Sequence, residues 1–183
     1  MERIRQSDGF PLTLHVIGTG KGGQLLQKET NDHTWIVLHG ETYDQERIRG
    51  ISMDCFLGCY PGNAGLSVVH MMSLSLPTVT HDDLLSHQGP EPSFVRDGVS
   101  GVLYDHRNPE ESLYQAIKSL AADPLRLAKM RQAAFEDYQH LVNPPLSARF
   151  WSILDARHSA ARSDVASCPG SGPEPSRRES APS

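Results

Sequence analysis

The run Tyr60-Pro61-Gly62-Asn63-Ala64-Gly65-Leu66-Ser67-Val68-Val69-His70-Met71-Met72 carries the residue types and spacing that hold a phosphate group. Gly62 and Gly65 lack side chains, so the main chain there can come close to a ligand. The N–H groups that open a helix have no partner inside it, and they lie at the positive end of the helix dipole. Ser67 either donates to a phosphate or caps its own helix. His70, one turn beyond Ser67 and on the same side, can bond a hydroxyl through either ring nitrogen or can be an ordinary packed histidine. Asn63 either touches the ligand or serves as a residue that tolerates a left-handed turn.

Such a turn needs a strand before it and a helix after it. Cys55 to Tyr60 reads as a buried strand, and a helix runs from the turn to about Leu74. Upstream, Leu12 to Ile17 is a β-rich run closed by Gly18-Thr19-Gly20, Lys21 to Glu29 reads as a short helix, and Thr34 to Leu38 is a second strand. Tyr43 to Ile51 is helical, with Glu46 and Arg47 outward and Ile48 and Ile51 inward. Downstream come a strand at Pro77–Thr80, a polar loop from His81 to Pro92 and a short strand at Gly101–Tyr104. A helix follows from Pro109, capped by Asn108, and another from Pro124 with Leu125, Leu127, Met130, Ala133 and Phe135 as its inner face. Pro144-Pro145 then precedes an apolar segment, Phe150 to Leu154. Strands alternating with helices through short loops predict an α/β fold with a doubly wound, mostly parallel Rossmann-like sheet, C-terminal helices and a ligand site at the carboxyl ends of the strands.

The 183 residues suffice for one domain, placed here at 1–158. Residues 159–183 are Ser, Pro, Gly, Ala and Arg with almost no large apolar side chain, and are expected to be a disordered tail. A net charge of −5 with acids and bases interspersed argues against a nucleic-acid partner. Cys55, Cys59 and Cys168 form no disulfide framework. The first two read as packed, reduced thiols, which points to a cytoplasmic protein. The charged start Met1 to Gln6 is no signal peptide, and no apolar run approaches the roughly 20 residues of a membrane span.

The order of motifs resembles the C-terminal, donor-binding domain of group 1 (family 4) glycosyltransferases of the GT-B fold. The resemblance is carried by Val16-Ile17-Gly18-Thr19-Gly20, by Gly62 to His70, by Leu76-Pro77-Thr78-Val79-Thr80, by Pro90-Glu91 and by Asp97 to Leu103, and it spans roughly residues 12 to 155. It implies retaining transfer of a sugar from a UDP- or GDP-linked donor to a saccharide or lipid-linked acceptor, in polysaccharide synthesis, with no cofactor and no metal. It assigns donor contacts to Gly62, Asn63, Ala64, Gly65, Leu66, Ser67, His70, Glu91 and Gly18. The usual pattern has a glutamate just before the Gly-rich loop and another eight residues later, reaching the donor sugar and the ribose. Here Gly62 and His70 hold those places. A Pro-Gly-Asn-x-Gly-Leu loop ending in histidine is similar to one subset of the family.

The resemblance also implies a second, N-terminal acceptor domain that has no counterpart in this sequence, and with it the acceptor-side catalytic residues. Lys21 is the nearest candidate for the basic pair that neutralises the diphosphate in the family. The chain therefore reads as a fragment, a truncated product or one subunit of a split enzyme, active beside a separate acceptor domain. The competing reading is a non-catalytic nucleotide-sugar-binding module. A peripheral position at the inner membrane face follows from the resemblance alone.

The remaining candidates have plainer readings. Gly18 and Gly20 can be a simple tight turn. His81, Asp82 and Asp83, at the carboxyl end of their strand, either line the cleft or, as the plainer reading has it, start a solvated loop. With His87 they do not have the spacing of a metal site, and no Ser-His-Asp or Cys-His nucleophile is expected.

Overall fold

The computed structural model describes residues 2–20 and 22–166. Lys21, Cys168 and most of the expected tail lie outside the described residues. The chain divides at 141/142 into two units.

The first unit is α/β, as expected. Its elements are α1 (Glu2–Asp8), β1 (Leu14–Ile17), α2 (Gly23–Asp32), β2 (Ile36–Gly40), α3 (Gln45–Met53), β3 (Gly58–Cys59), α4 (Ser67–Ser73), β4 (Thr78–His81), a 3-10 turn (Glu91–Phe94), β5 (Gly101–Tyr104), α5 (Pro109–Ala121) and α6 (Pro124–Val142). All strand pairs are parallel. The hydrogen bonding divides them into a two-stranded sheet, β1-β2, and a three-stranded sheet, β3-β4-β5.

Strand alternation sorts the second sheet's side chains onto two faces. On one face Cys59, Val79, Val102 and Tyr104 pack with Leu113, Ala116 and Leu120 of α5 and with Leu127 and Met130 of α6. On the other, Tyr60 and Leu103 join Ala64, Val68 and Met72 around α4, with Val95, Tyr138 and Leu141 closing the layer. Helices on both faces are the doubly wound arrangement. β5 can lie close to β4 because Gly101 has no Cβ. A methyl there would strike the backbone of Thr78 and the side chain of Val95. The turn before β5 uses Gly98 at φ +72°, and Asp97 closes it by accepting from the N–H of Leu103 at 2.9 Å.

Several boundaries differ from expectation. The strand expected over Cys55–Tyr60 shrinks to Gly58–Cys59, because the N–H of Cys55 bonds Ser52 and its thiol bonds Ile51, which extends the exit turn of α3. The inner face of α6 is Leu127, Met130, Ala134, Tyr138 and Leu141. Leu125 is 79% exposed in the first turn, and Phe135 lies one position off the buried stripe. Asn108 stands at the N-cap of α5 but makes no side-chain cap bond. Instead Ser112 donates to the carbonyls of Asp105 and Asn108. Cys55 and Cys59 are free thiols, and burial pushes the Cys59 pKa up to about 11, so it is a packed, unreactive group.

In the second unit a cis Asn143–Pro144 bond precedes α7 (Leu146–Ala166), a helix that runs through the expected 158/159 boundary. No helix among the described residues is long and apolar enough to cross a membrane.

Candidate functional site at the strand tips

A cavity of about 290 Å³ opens at the carboxyl ends of β3, β4 and β5, lined by Pro61, His81, Asp83, Ser86, Tyr104, His106 and Pro109. This is where a doubly wound sheet binds ligands. Pro61 belongs both to the cavity wall and to the turn that leads into α4, so cavity and turn form one continuous region.

The turn is anchored at both ends. The Tyr104 hydroxyl donates to the carbonyl of Pro61 at 2.7 Å. Ala64, fully buried, donates its N–H to Nδ1 of His87 at 2.9 Å and accepts from the N–H of Gln88 at 2.9 Å. Because Nδ1 of His87 accepts, Nε2 carries the hydrogen and donates to the carbonyl of His81 at 3.0 Å. The rings of His87 and His81 stack with centroids 3.9 Å apart.

Gly65, Leu66 and Ser67 follow, and their N–H groups have no partner among the described residues. Leu66 is the N-cap of α4 without a cap bond, and Ser67 is the first helical residue, so Ser67 is not the cap. Its hydroxyl is unbonded among the described residues. α4 has only seven residues, so the dipole anticipated from a longer helix is small and the local N–H groups must supply the attraction. Neither Gly62 nor Gly65 has a positive φ, and Asn63 is not left-handed. A Cβ at Gly62 would meet nothing within 4 Å, and one at Gly65 would make only ordinary contact with Gln88 at 3.6 Å. The fold itself requires glycine at neither place.

The other expected residues are spread around this turn. His70 is half-buried on α4, one turn past Ser67, with no side-chain bond among the described residues. Glu91 begins the 3-10 turn that packs against α4, and one of its carboxylate oxygens is buried without a partner. That carboxylate folds over Gly89, where a side chain would collide with it. Gly18, at φ +123°, ends β1 in the other sheet and donates to the carbonyl of Gly40 at 2.8 Å. No hydrogen bond joins it to the turn among the described residues.

Of the two readings for His81, a cleft-lining residue or the start of a solvated loop, the structure shows the first. His81 is 8% exposed, lines the cavity and has an Nδ1 with no partner. Burial, then His87, hold its pKa below the ordinary histidine value, which keeps the ring neutral at neutral pH. Beside it, Asp82 accepts from both the N–H and Nδ1 of His106, at 3.0 and 2.7 Å, and these bonds lower its pKa. Asp82, Asp105 and His106 lie close enough to share a cation, but Arg107 already neutralises Asp105 at 3.0 Å and His106 occupies Asp82. Sequence reasoning missed Tyr104, His87 and His106. Tyr104 and His106 carried one usable signal, their place at the end of β5.

The profile of the family described as "Glycosyl transferases group 1" matches residues 1–123. The chain belongs to this family. No curated protein matches this glycosyltransferase chain in sequence. Solved structures resemble its fold. A TarM variant from S. aureus, in complex with fondaparinux, alpha-GlcNAc-glycerol and UDP, is 20% identical with a TM-score of 0.63, over 76% of this chain and 28% of that one. The pneumococcal O-GlcNAc transferase GtfA, in complex with UDP and GlcNAc, is 19% identical with a TM-score of 0.60, over 76% and 28%. Anabaena HepE, in complex with UDP and glucose, is 19% identical with a TM-score of 0.58, over 80% and 40%. These likenesses show the GT-B type of fold. The chain spans less than half the length of each of these proteins.

Proposed function

We propose that this chain binds the nucleotide-sugar donor of a retaining glycosyltransferase, using the N–H groups of Gly65 and Leu66 and the Ser67 hydroxyl to hold the pyrophosphate. One observation carries the reading. Gly62 and Gly65 open the surface at the strand tips although neither backbone strain nor packing calls for glycine, and the N–H groups of Gly65, Leu66 and Ser67 have no partner among the described residues. Preorganised donors aimed at a departing diphosphate lower the barrier to sugar transfer without moving themselves. In this reading His70 bonds the ribose, Asn63 contacts the donor sugar, and the unpartnered oxygen of Glu91 receives a sugar hydroxyl. No metal or cofactor takes part.

The donor class is UDP- or GDP-linked. The UDP bound by the similar TarM, GtfA and HepE structures supports the first. The acceptor is a saccharide or a lipid-linked saccharide, met beside a separate acceptor domain or subunit. A lipid-linked acceptor would bring the protein to the inner membrane face. Calorimetric titration of the chain with UDP, GDP and ADP tests the reading. Saturable binding, weakened at least about tenfold by Gly65→Val, is expected. No binding at millimolar concentrations of any of the three would overturn it.

A further inference from the structure

His87 is not among the residues that the donor-binding reading assigns, yet it makes the central contacts of the region. Its Nδ1 accepts from the buried N–H of Ala64, its Nε2 donates to the carbonyl of His81, and its ring stacks on the His81 ring. One side chain thus ties the turn Pro61–Leu66 to the cavity wall at the end of β4. The adjacent Gln88 completes the clamp through its own N–H bond to the Ala64 carbonyl. The N–H of Ala64 lies inside the protein. A ligand could reach it only by displacing His87.

We propose that His87 is the positioning residue of the donor site. It satisfies the one turn amide that faces inward, and so fixes the turn with the amides of Gly65, Leu66 and Ser67 left for the ligand. The proposal rests on the donor-binding reading. An imidazole suits the task because a single ring supplies an acceptor and a donor on opposite sides, at fixed separation. A side chain without an acceptor would leave the Ala64 N–H buried and unpaired, and the turn would rearrange to satisfy it.

The test uses the whole chain, with UDP as the probe. His87→Phe keeps a ring to stack on His81 but loses both hydrogen bonds. His87→Asn keeps an acceptor at the place of Nδ1. Wild type is expected to bind UDP, His87→Phe about tenfold more weakly, and His87→Asn nearly as well as wild type. Amide hydrogen exchange at Ala64 should be slow in wild type and His87→Asn and fast in His87→Phe. Equal UDP affinity for wild type and His87→Phe would overturn the positioning role and leave the donor site standing. Tighter binding by His87→Phe would overturn it too, by showing that the ring competes with the ligand. Absence of UDP binding by wild type would remove the donor site itself. Should His87→Phe fail to fold, unprotected exchange at Ala64 in wild type would still be enough to reject the proposal.

Discussion

The hydroxyl of Tyr104, at the tip of β5, donates to the carbonyl of Pro61, the first residue of the turn after β3, at 2.7 Å. Two neighbours of the central strand are thereby joined across its end, and the start of the turn is held at a fixed height above the sheet. Tyr104 is 4% exposed, so loss of its hydroxyl would leave the Pro61 carbonyl without that partner. Tyr104→Phe is expected to lower stability by about 1 kcal/mol in urea unfolding and to weaken UDP binding in the same direction. Unchanged affinity would show that the height of the turn does not matter to the ligand.

The two kinds of glycine in this chain predict opposite behaviour. Gly101→Ala forces a methyl into the backbone of Thr78 and the side chain of Val95, and should cost about 1–3 kcal/mol of stability. Gly62→Ala places its methyl where no atom lies within 4 Å, so stability should change by no more than about 0.5 kcal/mol while UDP affinity falls. Chemical denaturation and titration on the same two proteins separate these effects.

The neutral His81 gives stability a definite pH dependence. Its folded-state pKa lies below the ordinary 6.5, so above pH 6.5 both folded and unfolded chains hold a neutral ring and the contribution is complete. As pH falls below that value, the unfolded chain takes up a proton that the folded chain refuses, and stability drops until the depressed folded value is passed. His39, lowered by burial, His15 and Arg47, acts with the same sign. Melting temperature measured from pH 8 to 5 should fall less steeply in His81→Asn than in wild type. Equal slopes would contradict the assignment.

Glu91 should distinguish the sugar from the nucleotide. Its buried, unpartnered oxygen belongs to the reading in which a donor hydroxyl meets it. Glu91→Gln is expected to leave UDP affinity unchanged and to weaken UDP-glucose about tenfold, measured by calorimetry. Loss of UDP affinity as well would place Glu91 in the architecture of the turn instead.

Much of the fold was legible because its signals are local. The β-rich runs at Leu14–Ile17 and Gly101–Tyr104, the Pro109 and Pro124 helix starts, and the glycines at 62 and 65 each speak for their own neighbourhood. What failed in the elements lay at their ends, where neighbouring turns compete for the same residues. The strand at Cys55 was lost because the end of α3 claims that residue's N–H and thiol, and Leu125 faces water because the inner stripe of α6 starts at Leu127. In the site the misses are long-range. The turn could be read from its own residues. His87, 23 positions from Ala64, and Tyr104, 43 from Pro61, reach it only through the crossover that brings the tips of β4 and β5 beside β3. For His81 the sequence left cleft lining and a solvated loop start both open, and the stacked ring of His87 in the following loop is a contact that its own neighbours do not announce.

The central claim is that the amides opening α4 contact a nucleoside diphosphate. Nitrogen-15 chemical-shift mapping of the labelled chain during UDP addition tests it residue by residue. The account predicts that Gly65, Leu66 and Ser67 show the largest saturable shifts, with Ala64 remaining protected from exchange. Saturable shifts confined to other parts of the chain, or none at millimolar UDP, would contradict it.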